Sequence, residues 1–443
     1  MLLPHRNLLF AVAAWVGASV AAIPLPALLP VWRTAGLLLL AAALADAWLA
    51  LRRGNPLHVE RRMNAIWPLG VEQKIRLRVQ LRESTGGGSG RRLRGLLFDH
   101  HPDAFAVHDL PLPFNVAPGE WIEPAYRLTA NERGDHRFGE VHARLDSPFR
   151  LWHTQHRCAD AAEARVYPNF ARVTQYALLA TDDRLAQMGV LRRWRRGEGS
   201  DFHQLREYRR GDPPRSIDWK ATARVRKPIV REYQDERDQQ IVFLLDCGQR
   251  MLTRDDTLSH FDHTLNAMLL LAYVALRQGD AVGFGTFAHA EPRYFPPRKS
   301  AAALPLLLDA TYDLQASAQT SDYLAASDLL CRRLRKRSLV ILLTNLRDED
   351  DATLPAALEQ LRRRHLVLLA SLRETGLDKL RRNEIGDFDD ALGYAAAIEY
   401  LQARQRQFAR LRGQGAHLLD TSPKQLPVAL VNRYWDMKRG GVI

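Results

Sequence analysis

Two apolar runs open the chain, a period-two pattern follows, and an alternation of short apolar runs with helical periodicity fills its second half. Leu8 to Ile23 is an unbroken stretch of 16 apolar or small residues, and a second run from Ala35 to Leu51 is interrupted only by Asp46. Each approaches the roughly 17–25 residues that a hydrocarbon core demands. Pro24, Pro26 and Pro30 lie between them and belong in a turn, because proline inside a helix removes a backbone hydrogen bond. The pattern predicts a transmembrane helical hairpin over residues 1–53. A cleaved signal peptide is the alternative, with Arg6 as its charged end and small residues around Ala18–Ala22. Against it stands the second apolar run, which cleavage would leave behind. Arg6, Arg52 and Arg53 flank the pair and place both ends in the cytoplasm, with Arg33 in the turn as the dissenting charge. Asp46 is expected about one turn from the interface, reaching the headgroups; an ion path is the other reading.

From Pro56 to about Tyr167 the period is two. Val71, Ile75, Leu77, Val79 and Leu81 alternate with Glu72, Lys74, Arg76, Arg78 and Gln80, the mark of a half-buried strand. Thr85–Gly90 is a flexible turn, and alternation returns at Trp121–Leu128, His136–Leu145 and Ala164–Tyr167. Short strands with Gly and Pro punctuation predict an antiparallel β-sandwich over 54–168. His100, His101 and the other histidines of this stretch show no metal-ligand spacing and read as surface residues.

Over 238–443 the strands Ile241–Leu245, Ala281–Ala288, Leu339–Thr344, His365–Ser371 and Ala416–Leu419 are continuous apolar runs, and Tyr294–Phe295 is a short edge strand. Helical spacing fills Leu258–Arg277, Ala301–Leu314, Tyr323–Lys336, Leu354–Arg363, Phe388–Leu411 and the end from Pro427. Strands alternating with helices predict a doubly wound, mostly parallel sheet. Ligands of such sheets sit at the carboxyl ends of the strands, where this chain presents Asp246, Thr344 and Asn345, with Thr320 and Ser321 ahead of a helix. Arg332–Arg337 at one helix end and Asp348–Asp351 at the start of the next complement helix dipoles and require no ligand.

Composition narrows the partners. The chain of 443 residues is 46% hydrophobic, enough for large cores, and Cys158, Cys247 and Cys331 are too scattered for a disulfide framework. Of the net charge of +13, +6 lies in residues 191–237, which hold 14 basic and 8 acidic side chains. A local basic block suggests an anionic neighbour. Within it Arg206, Arg209, Arg215, Arg224 and Arg231 mix with Phe202, Tyr208, Trp219 and Tyr233. Three readings stand: a single-stranded nucleic-acid groove with stacking platforms, an intramolecular clamp in which Asp201, Glu207, Asp212 and Asp218 pair with the arginines, or a solvated surface. The interleaved acids count against a nucleic-acid groove, since each offsets a phosphate contact. The glycines form neither a phosphate loop nor a dinucleotide fingerprint.

The same block carries a family resemblance. Gly197, Gly199, Asp201, Phe202, Leu205, Arg206, Glu207, Tyr208, Gly211, Asp212, Arg215, Ile217, Asp218, Trp219, Lys220, Ala221, Ala223 and Arg224, at this spacing, resemble the diagnostic stretch of the bacterial domain-of-unknown-function family fifty-eight. Arg133-Gly134, the run Asp146-Ser147-Pro148-Phe149-Arg150-Leu151 and Val166-Tyr167-Pro168 resemble it too, though the family has Gly where Arg150 stands. The resemblance implies a von Willebrand factor type A-like domain after the motif and, from gene neighbourhood, a MoxR-type AAA+ ATPase as partner.

Type A domains that bind magnesium use an Asp-x-Ser-x-Ser run, a Thr from a nearby loop and a later Asp. Here the run is Asp246-Cys247-Gly248-Gln249-Arg250, and the later carboxylate is replaced by Asn345. Asp246, Thr320 and Asn345 therefore form a degenerate metal site, expected to be empty, because a hard cation prefers carboxylates. Asp246 is expected instead to pair with Arg250 or to cap the following helix. Cys247 has no accompanying base. The expectation is a multidomain inner-membrane protein of bacteria, with soluble domains in the cytoplasm: a two-helix anchor (1–53), a sandwich (54–168), a basic motif segment locking the domains together (169–237) and a type A-like α/β domain (238–443). It is expected to be a scaffold without catalytic residues or cofactor, contacting the bilayer and an ATPase; a nucleic-acid or polyanion binder is the alternative.

Overall fold

A computed structural model describes residues 2–22, 28–52, 54–81, 92–168, 201–209, 212, 214–234, 239–255, 258–300, 302–347, 353–382 and 385–442. The turn at Thr85–Gly90, Pro24 and Pro26, Gly197, Gly199 and Gly211 of the motif, and the acidic run Asp348–Asp351 lie outside these residues. Internal contacts divide the chain into two units, Met1–Tyr167 and Pro168–Ile443.

In the first unit the apolar runs form helices Arg6–Ala22 and Leu29–Arg52. The second helix begins six residues earlier than the apolar run alone implied. At 1.5 Å per residue it is about 36 Å long, against roughly 30 Å of hydrocarbon core. Among the described helices it is the one long and apolar enough to cross a membrane; the first is a shorter apolar helix. The two pack together through Trp15 and Trp32, whose rings stack 4.6 Å apart. Each indole N–H donates to the other's backbone carbonyl at 3.0 Å. Gly36 makes room for this pair, since a Cβ there would stand 2.7 Å from the Trp15 ring.

The remainder of this unit is antiparallel sheet apart from one short parallel pairing, Ala162–Tyr167 with Ile66–Pro68. Glu72–Leu81 pairs with Leu57–Arg62 on one side and Ala125–Ala130 on the other. Its Ile75, Leu77 and Val79 are fully buried, as period-two alternation demands. The alternating stretch His136–Leu145 is two strands, Gly134–Phe138 and Val141–Asp146, broken at Gly139, where a side chain would strike His100. A short strand without sequence signal, Leu2–Pro4, pairs with Trp152–Thr154. Inside the sheets lies a buried ion pair, Arg61 Nη2 to Asp99 Oδ1 at 2.5 Å, and Tyr126 Oη donates to Asp99 Oδ2 at 2.8 Å.

Asp46 corrects its expected place. It is wholly buried, and its carboxylate accepts from Ser147 Oγ at 2.5 Å, Phe149 N at 3.0 Å and Leu151 N at 3.1 Å. Trp152 Nε1 donates to the Ala43 carbonyl one turn away. The acid therefore fastens the second helix to the turn Ser147–Leu151 and does not reach toward headgroups. At the head of that turn Arg150 sits at φ 55°, in the left-handed region that a side chain disfavours, which accounts for the glycine expected there.

The second unit contains a six-stranded sheet. Its strands, in chain order, are Gln240–Asp246, Ala281–Phe287, Tyr294–Arg298, Leu339–Thr344, Leu366–Leu372 and His417–Thr421, and they lie side by side in the order 3-2-1-4-5-6. All neighbours are parallel except the edge strand Tyr294–Arg298. Alternate residues of Gln240–Asp246 enter separate apolar clusters: Ile241, Phe243 and Leu245 join the helices His260–Arg277 and Leu426–Arg439, while Val242 and Leu244 join Tyr323–Arg333 and Leu354–Arg362. Burial on both faces is why this strand reads as a continuous apolar run.

Candidate functional site

The basic motif folds as a ribbon. Asp201–Glu207 pairs antiparallel with Ile229–Gln234, so Asp201 and Phe202 contribute backbone opposite Gln234 and Tyr233. Arg215 lies in the turn Pro214–Ser216, and the helix Trp219–Val225 sits between the strands in sequence. Asp212 takes the Arg206 guanidinium through both oxygens, at 2.7 and 2.8 Å, and also the Arg209 N–H at 2.7 Å. These bonds, from Arg206 first, hold its carboxyl down to about 2. Asp218 caps the helix through the N–H groups of Lys220 and Ala221, both at 3.0 Å, and receives Arg231 Nε at 2.8 Å. The Arg231 bond foremost, then the cap, lowers its pKa. Glu207 and Lys227 meet at 2.9 Å on the exposed side. Glu207, Asp212 and Asp218 are thus engaged by the block's own cations. Lys220, Arg224 and Tyr208 are exposed, and Trp219 stands 71% exposed at the helix start.

At the carboxyl ends of the parallel strands lies a second polar cluster. Asp246 is fully buried. Its Oδ1 accepts the Gly248 N–H at 2.8 Å, Ser321 Oγ donates from 2.8 Å, and Thr344 Oγ1 donates to Oδ2 at 2.6 Å. Burial pushes the carboxyl pKa upward, and the Thr344, Gly248 and Ser321 bonds and the Arg250 charge pull the other way. Gly248 is required by this closure, since a Cβ would lie 2.7 Å from Ser321 Oγ. Arg250, 7% exposed, donates to Tyr323 Oη at 3.1 Å and to the Asn345 carbonyl at 3.4 Å.

The hydroxyl on Asp246 is that of Ser321; its neighbour Thr320 is exposed. Asn345 is buried, but its carboxamide is turned away, donating to Glu374 Oε1 at 3.0 Å and facing Arg404 Nη1 at 3.4 Å. Asp246, Thr320 and Asn345 are therefore not assembled around one point. A single carboxylate saturated by N–H and O–H donors, with a guanidinium close by, does not suit magnesium, which requires several oxygen ligands with free lone pairs.

Arg404, 4% exposed, is the member of this cluster that sequence spacing overlooked. From the helix Phe388–Gly413 it donates to Ser371 Oγ at 2.8 Å, the Leu372 carbonyl at 2.9 Å and Asp420 Oδ1 at 2.9 Å. With a further bond to the Leu346 carbonyl, just past Leu339–Thr344, it ties together the ends of three strands. The available signal was its position on the helix's apolar stripe, with Ala397, Phe408 and Leu411. An open hollow of about 310 Å³ beside it is lined by Arg373, Arg381, Arg382, Gln402 and Gln405.

These features define an α/β protein unit with a mixed six-stranded sheet, its strand ends closed by its own polar side chains, preceded by an apolar helix and β-rich sheets. Residues 204–411 match the family model "Protein of unknown function DUF58", so the family resemblance carried by the motif holds over that segment. No curated protein matches the chain. Among solved structures, the chain is similar to the conserved hypothetical protein BatB from Bacteroides thetaiotaomicron at 14% identity, covering 46% of this chain and 99% of that one, with a TM-score of 0.29. An aerotolerance-related membrane protein from Bacteroides fragilis is similar at 15% identity, covering 46% and 98%, with a TM-score of 0.29. The SpRpn10 VWA domain is similar at 9% identity, covering 44% and 93%, with a TM-score of 0.26. Likeness of this degree does not extend to function.

Proposed function

We propose that this protein is a non-enzymatic adaptor held at the bacterial cytoplasmic membrane, whose α/β unit positions a partner protein there. In this reading the helices Arg6–Ala22 and Leu29–Arg52 form a transmembrane hairpin with both ends in the cytoplasm, and the α/β unit is a doubly wound sheet of von Willebrand factor type A kind. The observation that carries the reading is the helix pair. Leu9, Phe10, Val16, Val20, Val31, Leu37, Leu38, Leu40 and Leu44 are all exposed on it, an apolar surface that water does not tolerate but lipid does. Trp48 and Phe149, both more than half exposed beside the Asp46 junction, suit the interfacial belt where aromatic rings collect. Absence of enzyme chemistry is supported by Asp246, whose lone pairs are engaged by the protein's own donors.

A MoxR-type AAA+ ATPase as partner rests on the family resemblance. The ribbon's paired acids and arginines weigh against the polyanion alternative. The test is photocrosslinking in intact membranes from a probe placed at Trp219, which is 71% exposed. Repeated capture of an AAA+ ATPase supports the reading. Capture that never includes one, or extraction of the chain by carbonate alone, overturns it.

A further inference from the structure

The fold gathers three metal-ligating side chains that are far apart in sequence: His5, Asp146 and His153, with one ligand atom from each within 4.8 Å of the others. We propose that they form a binding site for a divalent transition metal, zinc by preference, which clips the start of the first apolar helix to the β-sheet. This is independent of the adaptor reading.

Backbone pairing builds the site. Asp146 and His153 are directly opposite each other on neighbouring antiparallel strands, which puts their side chains on one face. On the other side of the same strand Leu2–Pro4 pairs with Trp152–Thr154, and the His5 N–H bonds to the Leu151 carbonyl at 2.8 Å. That delivers the His5 ring to within 4.6 Å of the His153 ring, centroid to centroid. Two imidazoles and a carboxylate are a borderline donor set suited to zinc, with a fourth position left for water.

The spacing is close to what a metal needs. Zinc bonds of about 2.0–2.1 Å at tetrahedral angles put neighbouring ligand atoms about 3.3 Å apart. His153 Nδ1 lies 3.0 Å from Asp146 Oδ1. That nitrogen is buried and stands at ion-pair distance from Asp146 without a well-aligned hydrogen bond. His5 Nδ1 accepts the Asn7 N–H at 3.0 Å; ligation would release that exposed N–H to water.

The experiment uses the untagged full chain in detergent, stripped with chelator and then titrated with zinc against a chromophoric chelator. Cobalt(II) serves as the spectroscopic probe of a nitrogen- and oxygen-ligated tetrahedral site. One zinc per chain is expected. His5→Gln, His153→Gln and Asp146→Asn should each weaken binding by more than the roughly 10–100-fold that loss of an outer-shell partner costs. His5→Gln is the informative variant, because it lies outside the paired strands and leaves the fold intact in chelator. Zinc should also slow proteolysis before Arg6 in the unaltered chain and not in this variant. No stoichiometric binding, or binding that survives His5→Gln with His153→Gln, overturns the site.

Discussion

Replacing Asp46 tests whether the second apolar helix is fastened to the sheet by one carboxylate. In Asp46→Ala, Ser147 Oγ and Phe149 N lose their acceptor, and Leu151 N loses one of two, keeping Ser147 Oγ at 3.1 Å. A buried donor left unpaired costs about 1–3 kcal/mol. The Ser147 hydroxyl can rotate, and both N–H groups are only partly buried, so the low end applies to each. The sum is a destabilisation of about 2–4 kcal/mol. Asp46→Asn keeps one acceptor but turns an NH2 toward a donor, and should cost about 1–3 kcal/mol. Urea unfolding of the full chain in detergent measures the loss, and amide hydrogen exchange localises it. Phe149 should lose protection while the amides of Ile75 and Leu77 keep theirs. An Asp46→Ala protein within 0.5 kcal/mol of the parent, with Phe149 still protected, would refute the clamp, since about 2 kcal/mol is the least it predicts.

Asp99→Ala leaves Arg61 as an uncompensated buried cation and should cost about 3–5 kcal/mol by denaturant titration, whereas replacing both partners with apolar residues should cost far less. Asp246 has a folded-state pKa raised by burial, so its contribution is full below the ordinary carboxylate range near pH 4 and is lost as pH rises toward the folded value. The stability difference between Asp246→Asn and the parent should therefore shift in the variant's favour as pH rises above about 4; a difference in urea midpoints that shifts the other way would contradict the assignment. Arg150→Gly relieves a left-handed backbone worth about 1–2 kcal/mol but adds unfolded-state entropy, for a net stabilisation of about 0.5–1 kcal/mol in a thermal melt.

Local pattern determined much of this protein. Apolar run length marked both helices of the first unit, because each is apolar around nearly its whole circumference. Period two marked Glu72–Leu81, and unbroken apolar runs marked Gln240–Asp246 and Leu339–Thr344, since sheets buried on one or both faces impose those patterns on adjacent residues. The motif's acids and bases were legible as a block for the same reason: they bond within about 30 positions, Asp212 to Arg206 and Asp218 to Arg231. Spacing could not show what pairs across long loops. Asp46 meets Ser147 across 101 positions, and Thr344 meets Asp246 across 98. Ser321 rather than Thr320 reaches Asp246, and Arg404 reaches Asp420, the end of Leu366–Leu372 and the Leu346 carbonyl past Leu339–Thr344, because strand order and helix placement set those distances. A charged residue in an apolar run announces a buried partner without naming it; only the tertiary structure brings the two together, because desolvation leaves each with no other acceptor or donor.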